Sequence, residues 1–491
     1  MADVTAAAPG VGGRRIAGGV AWTLIANYAV RGVNLLITIA LARTIGPAGM
    51  GLVAAALLAV EVIDTIRDFG LREALIYEPE LNARYADAAF QVILGVSILQ
   101  ALAMAGAAQL GWRVGLDPAL APVLAWLALL FPLSGLGSAQ EAMLLREGRF
   151  GARALAEMAG VIVKASVALA LLRLGHGVWS VVAGMILGIA VRTLALWLFS
   201  SWRPGLTTPT AASLRMLLGY GKHIIAVNVM FLCRMKADQF VVAAVLGQAA
   251  LGVYFVAARI PEIVIFGVNV AITSVAFPTY ARIVREKGDL EEAYLRTIRA
   301  CMLLMAPVAL GIAATGDQIV ALFFGAEWSD SARILAILSL GGIPLTLGWS
   351  AGNVFKATGR PQVLTWLTLI EVLAVSPAIW AVAWATRDLA WIAGAMAAGE
   401  AASCALRLAF MSRFERIGAG RTLAAAAWPI IGALVMAAAV LSFAQAAASL
   451  SLAFRLPLSI LVGVLVYGAV ILLFDRRAVA ELRMLAASRR A

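Results

Sequence analysis

The chain has 491 residues, of which 63% are apolar and 13% charged, whereas a soluble protein carries about 25% charged residues to cover its surface. With a mean hydropathy of +0.93, the composition excludes a soluble enzyme, a disordered scaffold and a disulfide-stapled secreted module. It leaves an all-α integral membrane protein whose outside is covered by membrane lipid. The net charge of +12 does not point to nucleic acid, because the basic residues collect in short connectors between apolar runs, where they set orientation in the membrane. Cys233, Cys301 and Cys404 stand singly in apolar stretches, and the histidines are His176 and His223. Neither a disulfide framework nor a metal or cofactor site is expected from them.

Residues 1–19 are small and polar, with Arg14 and Arg15 ahead of an apolar run too long for a signal-peptide core. That run is expected to be a retained first span with the arginine pair as its cytoplasmic anchor. A spanning helix needs about 20 mostly apolar residues. Such windows fall at 20–42, 49–69, 88–110, 119–145, 153–174, 177–200 and 214–246. They continue at 250–277, 295–323, 331–357, 363–385, 388–411, 422–447 and 455–474. The expectation is about 14 transmembrane helices. Placing both termini in the cytoplasm puts most connector arginines and lysines inside and leaves Arg43, Arg113, Arg173, Arg387 and Arg455 outside. The positive-inside rule favours that orientation, and an odd number of spans would destroy the asymmetry.

A shift of 201 residues lays Ile45 to Val53 over Leu246 to Tyr254 and Glu61 over Glu262. Because the shift covers an even number of spans, two six-helix lobes are expected as parallel repeats related by an axis along the membrane normal. Residues 1–205 form the first lobe, 206–415 the second, and 416–491 hold helices 13 and 14 with a basic cytoplasmic tail.

Ionisable side chains inside the spans carry the functional signal. In the first span Asn27, Arg31 and Asn34 stack on one helical face, and in the second Glu61, Asp64 and Asp68 form a similar stripe with Arg67 beside them. The fifth span adds Glu157 and Lys164, the sixth Arg192, the seventh Arg234, Lys236 and Asp238, and the eighth Arg259 and Glu262. Glu371 lies in the eleventh, with Glu400 and Arg407 in the twelfth. Each base would cost about 2.5 to 3.5 kcal/mol at the bilayer centre, so these groups must face one another, a wet interior or the membrane edges. Arg31, Asn27, Asn34, Lys164, Arg192, Arg234, Lys236 and Arg259 are the candidate substrate-binding residues, since guanidinium and ammonium groups in a low-dielectric cavity hold a phosphate or pyrophosphate through charge-assisted bonds. Local neutralisation is the competing reading, pairing Lys164 with Glu157, Arg259 with Glu262 and Arg67 with Asp64; Arg31 has no acid within its own span. Lys222 and Arg215 are expected at the cytoplasmic surface, and Arg333 and Arg407 are expected to snorkel.

From Thr422 to Phe454 and from Leu456 to Phe474 no charged residue occurs. These spans either guide a long lipid tail or simply face lipid. Tryptophans near span ends, such as Trp22, Trp112, Trp202 and Trp328, read as interfacial anchors. A phosphate-cradling GxxxxGK[ST] loop is absent from the sequence.

The stretch from Arg43 through Gly46-Pro47-Ala48-Gly49-Met50-Gly51-Leu52, running on through Asp68-Phe69-Gly70-Leu71-Arg72-Glu73-Ala74-Leu75-Ile76, resembles the opening of polysaccharide-exporting flippases. Leu144-Leu145-Arg146-Glu147-Gly148-Arg149-Phe150 and Ala237-Asp238-Gln239 followed by Leu246-Gly247 look like later signatures of the same group, a branch of the multidrug/oligosaccharidyl-lipid/polysaccharide exporter superfamily. The resemblance implies translocation of an undecaprenyl-diphosphate-linked oligosaccharide across the bacterial inner membrane by alternating access, for exopolysaccharide, capsule or lipopolysaccharide assembly, without enzymatic chemistry. Polysaccharide polymerase and export proteins are the implied partners. Arg31 falls where relatives carry a cavity arginine. Ion or proton antiport is the implied coupling, with Glu61, Asp238, Glu262, Glu371 and Glu400 as titratable candidates. A cation-coupled multidrug exporter of the same superfamily is the alternative, and the basic excess argues against it. A membrane glycan polymerase or ligase would carry a large external loop, whereas the external connectors run to about ten residues or fewer.

Overall fold

The structure, a computed structural model, describes residues 13–65, 75, 83–111, 117–205 and 211–474, with side chains at 13–29, 83–84, 211–227, 266, 271 and 274 outside the description. Asn27, Arg67, Asp68, Arg215 and Lys222 therefore lie outside the described side chains. The described residues form helices and no strand, as a chain must whose backbone polar groups cannot turn to water.

In order, the helices are α1 (Gly13–Asp64), α2 (Ala83–Leu110), α3 (Leu120–Leu127), α4 (Leu130–Arg146), α5 (Phe150–Arg173) and α6 (Val178–Phe199). There follow α7 (Ala211–Val245), α8 (Gln248–Pro261), a π-turn (Glu262–Phe266), α9 (Gly267–Arg285) and α10 (Leu290–Phe323). The last are α11 (Ser329–Ala357), α12 (Pro361–Thr386), α13 (Leu389–Phe414), α14 (Ala419–Ala446) and α15 (Leu452–Phe474). Among the described residues, 12 candidate spans are long and apolar enough to cross a membrane, against the 14 windows of the sequence. The difference arises in two places. The first two windows fall in one continuous stretch, Val30–Asp64, counted once although two helices meet in it at the non-helical Gly46, and the 214–246 window falls on α7, half of whose side chains are not described.

Breaks in the helices have identifiable causes. Gly46 adopts φ 64 and ψ −177 inside α1, a conformation that essentially only glycine enters without strain. Gly247, 201 residues on, adopts φ 88 and ψ −173 just before α8. Replacing Gly46 by alanine should lower stability by about 1 to 3 kcal/mol, seen as a lower unfolding midpoint of the detergent-purified protein; an unchanged midpoint would mean that the bend relaxes at no cost. The α3–α4 interruption at Ala128–Leu129 sits one turn before Pro132, whose ring lacks an N–H and crowds the carbonyl four residues earlier. Pro261 likewise precedes the π-turn. Asp289 caps α10 by accepting from the Glu292 N–H at 2.9 Å, and Asp388 caps α13 by accepting from Ala390 N–H at 2.6 Å.

The helices gather into two compact units, Met1–Leu232 and Cys233–Ala491, the boundary falling inside α7. In the first, Met104 and Ala108 of α2, Leu124 and Leu127 of α3 and Val182 of α6 share a core with Ala56 of α1. In the second, Tyr294, Ile298 and Met302 of α10 pack with Val354 and Phe355 of α11 and Leu408 of α13. α14 and α15, each with one arginine near its start, Arg421 and Arg455, and no other charge, belong to this second unit, where Ala433 and Met436 meet Ala306 and Leu310 of α10. Their outward residues, among them Leu461, Val464 and Leu465, are exposed, as suits a face in contact with hydrocarbon.

Candidate functional site

In the first unit a glycine seam sets the geometry. A Cβ built on Gly188 of α6 would lie 2.8 Å from the Gly160 carbonyl oxygen and 2.8 Å from Lys164 Cβ of α5. One built on Gly160 would lie 2.8 Å from the Gly188 oxygen and from Arg192 Cβ. Only residues without a side chain permit so close an approach of the two backbones. Lys164 and Arg192 are thereby brought to neighbouring turns of facing helices.

Arg192 is held by two carboxylates. Its Nε donates to Glu157 Oε2 at 2.6 Å, and its Nη2 donates to Glu141 Oε2 at 2.7 Å. The other Glu141 oxygen accepts from Arg153 Nε at 2.6 Å. Lys164 Nζ donates to Asn34 Oδ1 at 2.9 Å, while Arg192 takes the Glu157 carboxylate that the competing local-neutralisation reading paired with Lys164. The correction follows from geometry: seven residues separate Glu157 and Lys164 along α5, whereas the glycine seam brings α6 alongside. These groups border a cavity of about 280 Å³, to which Asn34, Asp64, Ser134, Glu157, Lys164 and Arg192 contribute polar side chains. Val60, Phe131 and Met185 supply part of its apolar wall. Arg31, one turn before Asn34 on α1, is half-buried and makes no hydrogen bond or ion pair with any described residue. Glu61 is exposed on the far half of the same helix.

The second unit holds a denser ion-pair network. Arg234 of α7 donates through Nε to Glu371 Oε2 at 2.6 Å and through Nη2 to Glu400 Oε2 at 2.7 Å. Arg407 forks onto Glu371, Nε to Oε1 at 2.7 Å and Nη2 to Oε2 at 2.9 Å. It does not snorkel: a planar guanidinium that finds a buried carboxylate gains more from the bidentate pair than from reaching for the membrane edge. Lys236 Nζ donates to Glu262 Oε1 at 2.9 Å, and Arg259 Nη1 reaches Glu262 Oε2 at 3.4 Å, the local pair anticipated from their spacing. Asp238 is buried and accepts from the Tyr254 hydroxyl at 2.7 Å and the Gln239 N–H at 2.8 Å.

Asn34, Lys164 and Arg192 thus meet at one cavity, whereas Arg234, Lys236 and Arg259 each sit against carboxylates of their own unit. The residue that sequence reasoning missed is Glu141, 3% exposed and salt-bridged to two arginines. A signal was present, since a glutamate within an apolar window is costly unless paired, but its partners lie 12 and 51 residues away. Among the described residues, no three His, Cys, Asp or Glu side chains are grouped to hold a metal ion.

Comparison with known proteins accords with this architecture. The chain is 25% identical over 375 residues to the succinoglycan biosynthesis transport protein ExoT of Rhizobium meliloti, covering 76% of this chain and 75% of that one. It is 24% identical over 363 residues to the lipopolysaccharide biosynthesis protein WzxC of Escherichia coli, covering 74% of each. Its fold is that of the lipid II flippase MurJ in an inward closed conformation, with a TM-score of 0.74, 14% identity and coverage of 94% of this chain and 100% of that one. An inward-facing multidrug resistance MATE family transporter gives a TM-score of 0.64 at 18% identity, over 80% of this chain and 98% of that one. The sequence pattern of one family, the polysaccharide biosynthesis proteins, matches residues 40–333, more than half the chain, and to that family the chain belongs.

Proposed function

We propose that the protein is a flippase that moves a lipid-diphosphate-linked oligosaccharide between the leaflets of the bacterial inner membrane during surface polysaccharide assembly. The observation that carries this reading is the open cavity of the first unit, bordered by membrane helices, in whose largely apolar wall Lys164 and Arg192 are set. A diphosphate with several sugars cannot cross about 30 Å of hydrocarbon unaided. Cationic donors inside the bundle replace the water that such a head group loses. Family membership and the names of the relatives support the same reading, among them a probable low-salt glycan biosynthesis flippase of Haloferax volcanii, 24% identical over 300 residues.

In this reading the carrier lipid is undecaprenyl diphosphate, both termini are cytoplasmic, and glycan polymerases act downstream. Lobes 1–205 and 206–415 rock in alternating access, with 416–491 appended. The recurrence of the Gly46 backbone at Gly247 supports the repeat. The protein translocates without covalent chemistry. A drug exporter for cationic compounds would call for acidic excess, whereas the charged side chains lining this cavity are two bases, Lys164 and Arg192, and two acids, Asp64 and Glu157. Arg31 stands one turn from Asn34 as a further donor toward the head group.

Complementation tests the reading. In a strain lacking the gene, Lys164→Ala and Arg31→Ala should each cut surface polysaccharide to about a tenth or less while leaving the protein in the membrane. Wild-type output from both variants would remove these residues from the site.

A further inference from the structure

We propose that Glu157 is a built-in competitor for the anionic head group: its carboxylate occupies the edge of Arg192 that a ligand phosphate takes, and it leaves when the ligand docks. This rests on the head-group reading of the first unit's cavity and gives that cavity a gate.

A guanidinium offers five N–H donors in a rigid plane. In Arg192, Nε is committed to Glu157 and Nη2 to Glu141. The two carboxylates are not equivalent. The Glu141 side chain is 4% exposed and both of its oxygens are salt-bridged, one to Arg153 and one to Arg192. It cannot withdraw without abandoning two arginines at once, Arg153 and the largely buried Arg192. The Glu157 side chain is 31% exposed, borders the cavity and meets Arg192 through a single oxygen. Glu141 is therefore the anchor that keeps the guanidinium aimed, and Glu157 the arm that can swing away.

The charges at the cavity require such an arm. Lys164 and Arg192 are balanced there by Asp64 and Glu157, so a diphosphate entering an already neutral, low-dielectric space meets repulsion from a carboxylate unless one gives way. Asp64 stands at the C-terminal end of α1, whereas Glu157 sits on the arginine itself. The exchange is one anion for another on the same donor. It also addresses release: a diphosphate clamped by an arginine and a lysine would leave slowly, and a carrier needs binding weak enough to reverse. The returning Glu157 carboxylate displaces the ligand.

The test uses the full-length protein in detergent, titrated calorimetrically with geranylgeranyl diphosphate and separately with inorganic pyrophosphate. Glu157→Gln should bind about tenfold more tightly than wild type. Glu157→Ala provides a second variant should the first be recovered poorly. A gain of affinity is not a symptom of misfolding. Adding Arg192→Lys to Glu157→Gln should cancel the gain. Tightening with both probes assigns the displacement to the diphosphate, and tightening with the prenyl compound alone assigns it to the lipid-borne head group; the gate stands in either case. If wild type binds while both Glu157 variants bind equally or more weakly, or if the gain persists without the arginine, the gate is wrong and the cavity reading survives. If neither wild type nor variants bind either probe, both fall together.

Discussion

Glu371→Ala is expected to leave little folded protein. The carboxylate is 2% exposed and accepts three hydrogen bonds, one from Arg234 and two from Arg407, which arrive from α7 and α13. Removing it strands two guanidinium groups inside the second unit, Arg234 with only Glu400 left and Arg407 with neither of its two bonds to Glu371. Breaking a buried pair by deleting one partner costs about 3 to 5 kcal/mol, because the charge left behind is uncompensated, and marginal stability means that such a loss removes much of the folded population. Thermal unfolding followed by size-exclusion chromatography in detergent should show a sharp loss of monodisperse protein. Glu371→Gln, which keeps the shape and an acceptor oxygen, should lie between alanine and wild type. A Glu371→Ala protein with a wild-type midpoint would show that water already screens the cluster.

Gly188→Ala is expected to damage both stability and transport. The added methyl would sit 2.8 Å from a backbone oxygen of α5 and 2.8 Å from Lys164 Cβ. The backbone oxygen cannot swing aside as the end of a flexible side chain could. The helices must separate, which in a close-packed interface costs about 1 to 3 kcal/mol, and the separation moves Lys164 and Arg192 apart at the cavity. Gly95→Ala on α2, where nothing lies within 4 Å, is the matched control and should behave as wild type. Equal midpoints and equal polysaccharide output for the two variants would refute the seam as the element that positions the site.

Element type was legible in the sequence, because uninterrupted apolar runs bounded by arginine, glycine and proline admit little but helices in lipid. Boundaries were less so. The non-helical backbone at Gly46 falls between the two windows read there, while the interruption ahead of Pro132 divides a single span, Leu120–Arg146, into two helices. At the site, spacing could find partners only along a single helix, which is why Arg259 and Glu262 were paired from their positions. The bonds joining Lys164 to Asn34, Arg234 to Glu400 and Arg192 to Glu141 span 130, 166 and 51 residues. No helical period reaches that far, so which polar group meets which is decided by packing, for Arg192 by the α5–α6 contact through Gly160 and Gly188.

The π-turn at Glu262–Phe266 has a rotational consequence. A π-turn accommodates one more residue than an α-turn, so everything downstream is rotated by about 100° relative to an unbroken helix. That phase change directs Asn269 to its bonds with Ile265 O and Thr346 Oγ1, and Thr273 to the indole of Trp349. Were this stretch wound as regular α-helix with all of its residues retained, the polar face of α9 would turn away from α11 as a block, whereas loss of one residue here would restore regular winding and leave that face in place.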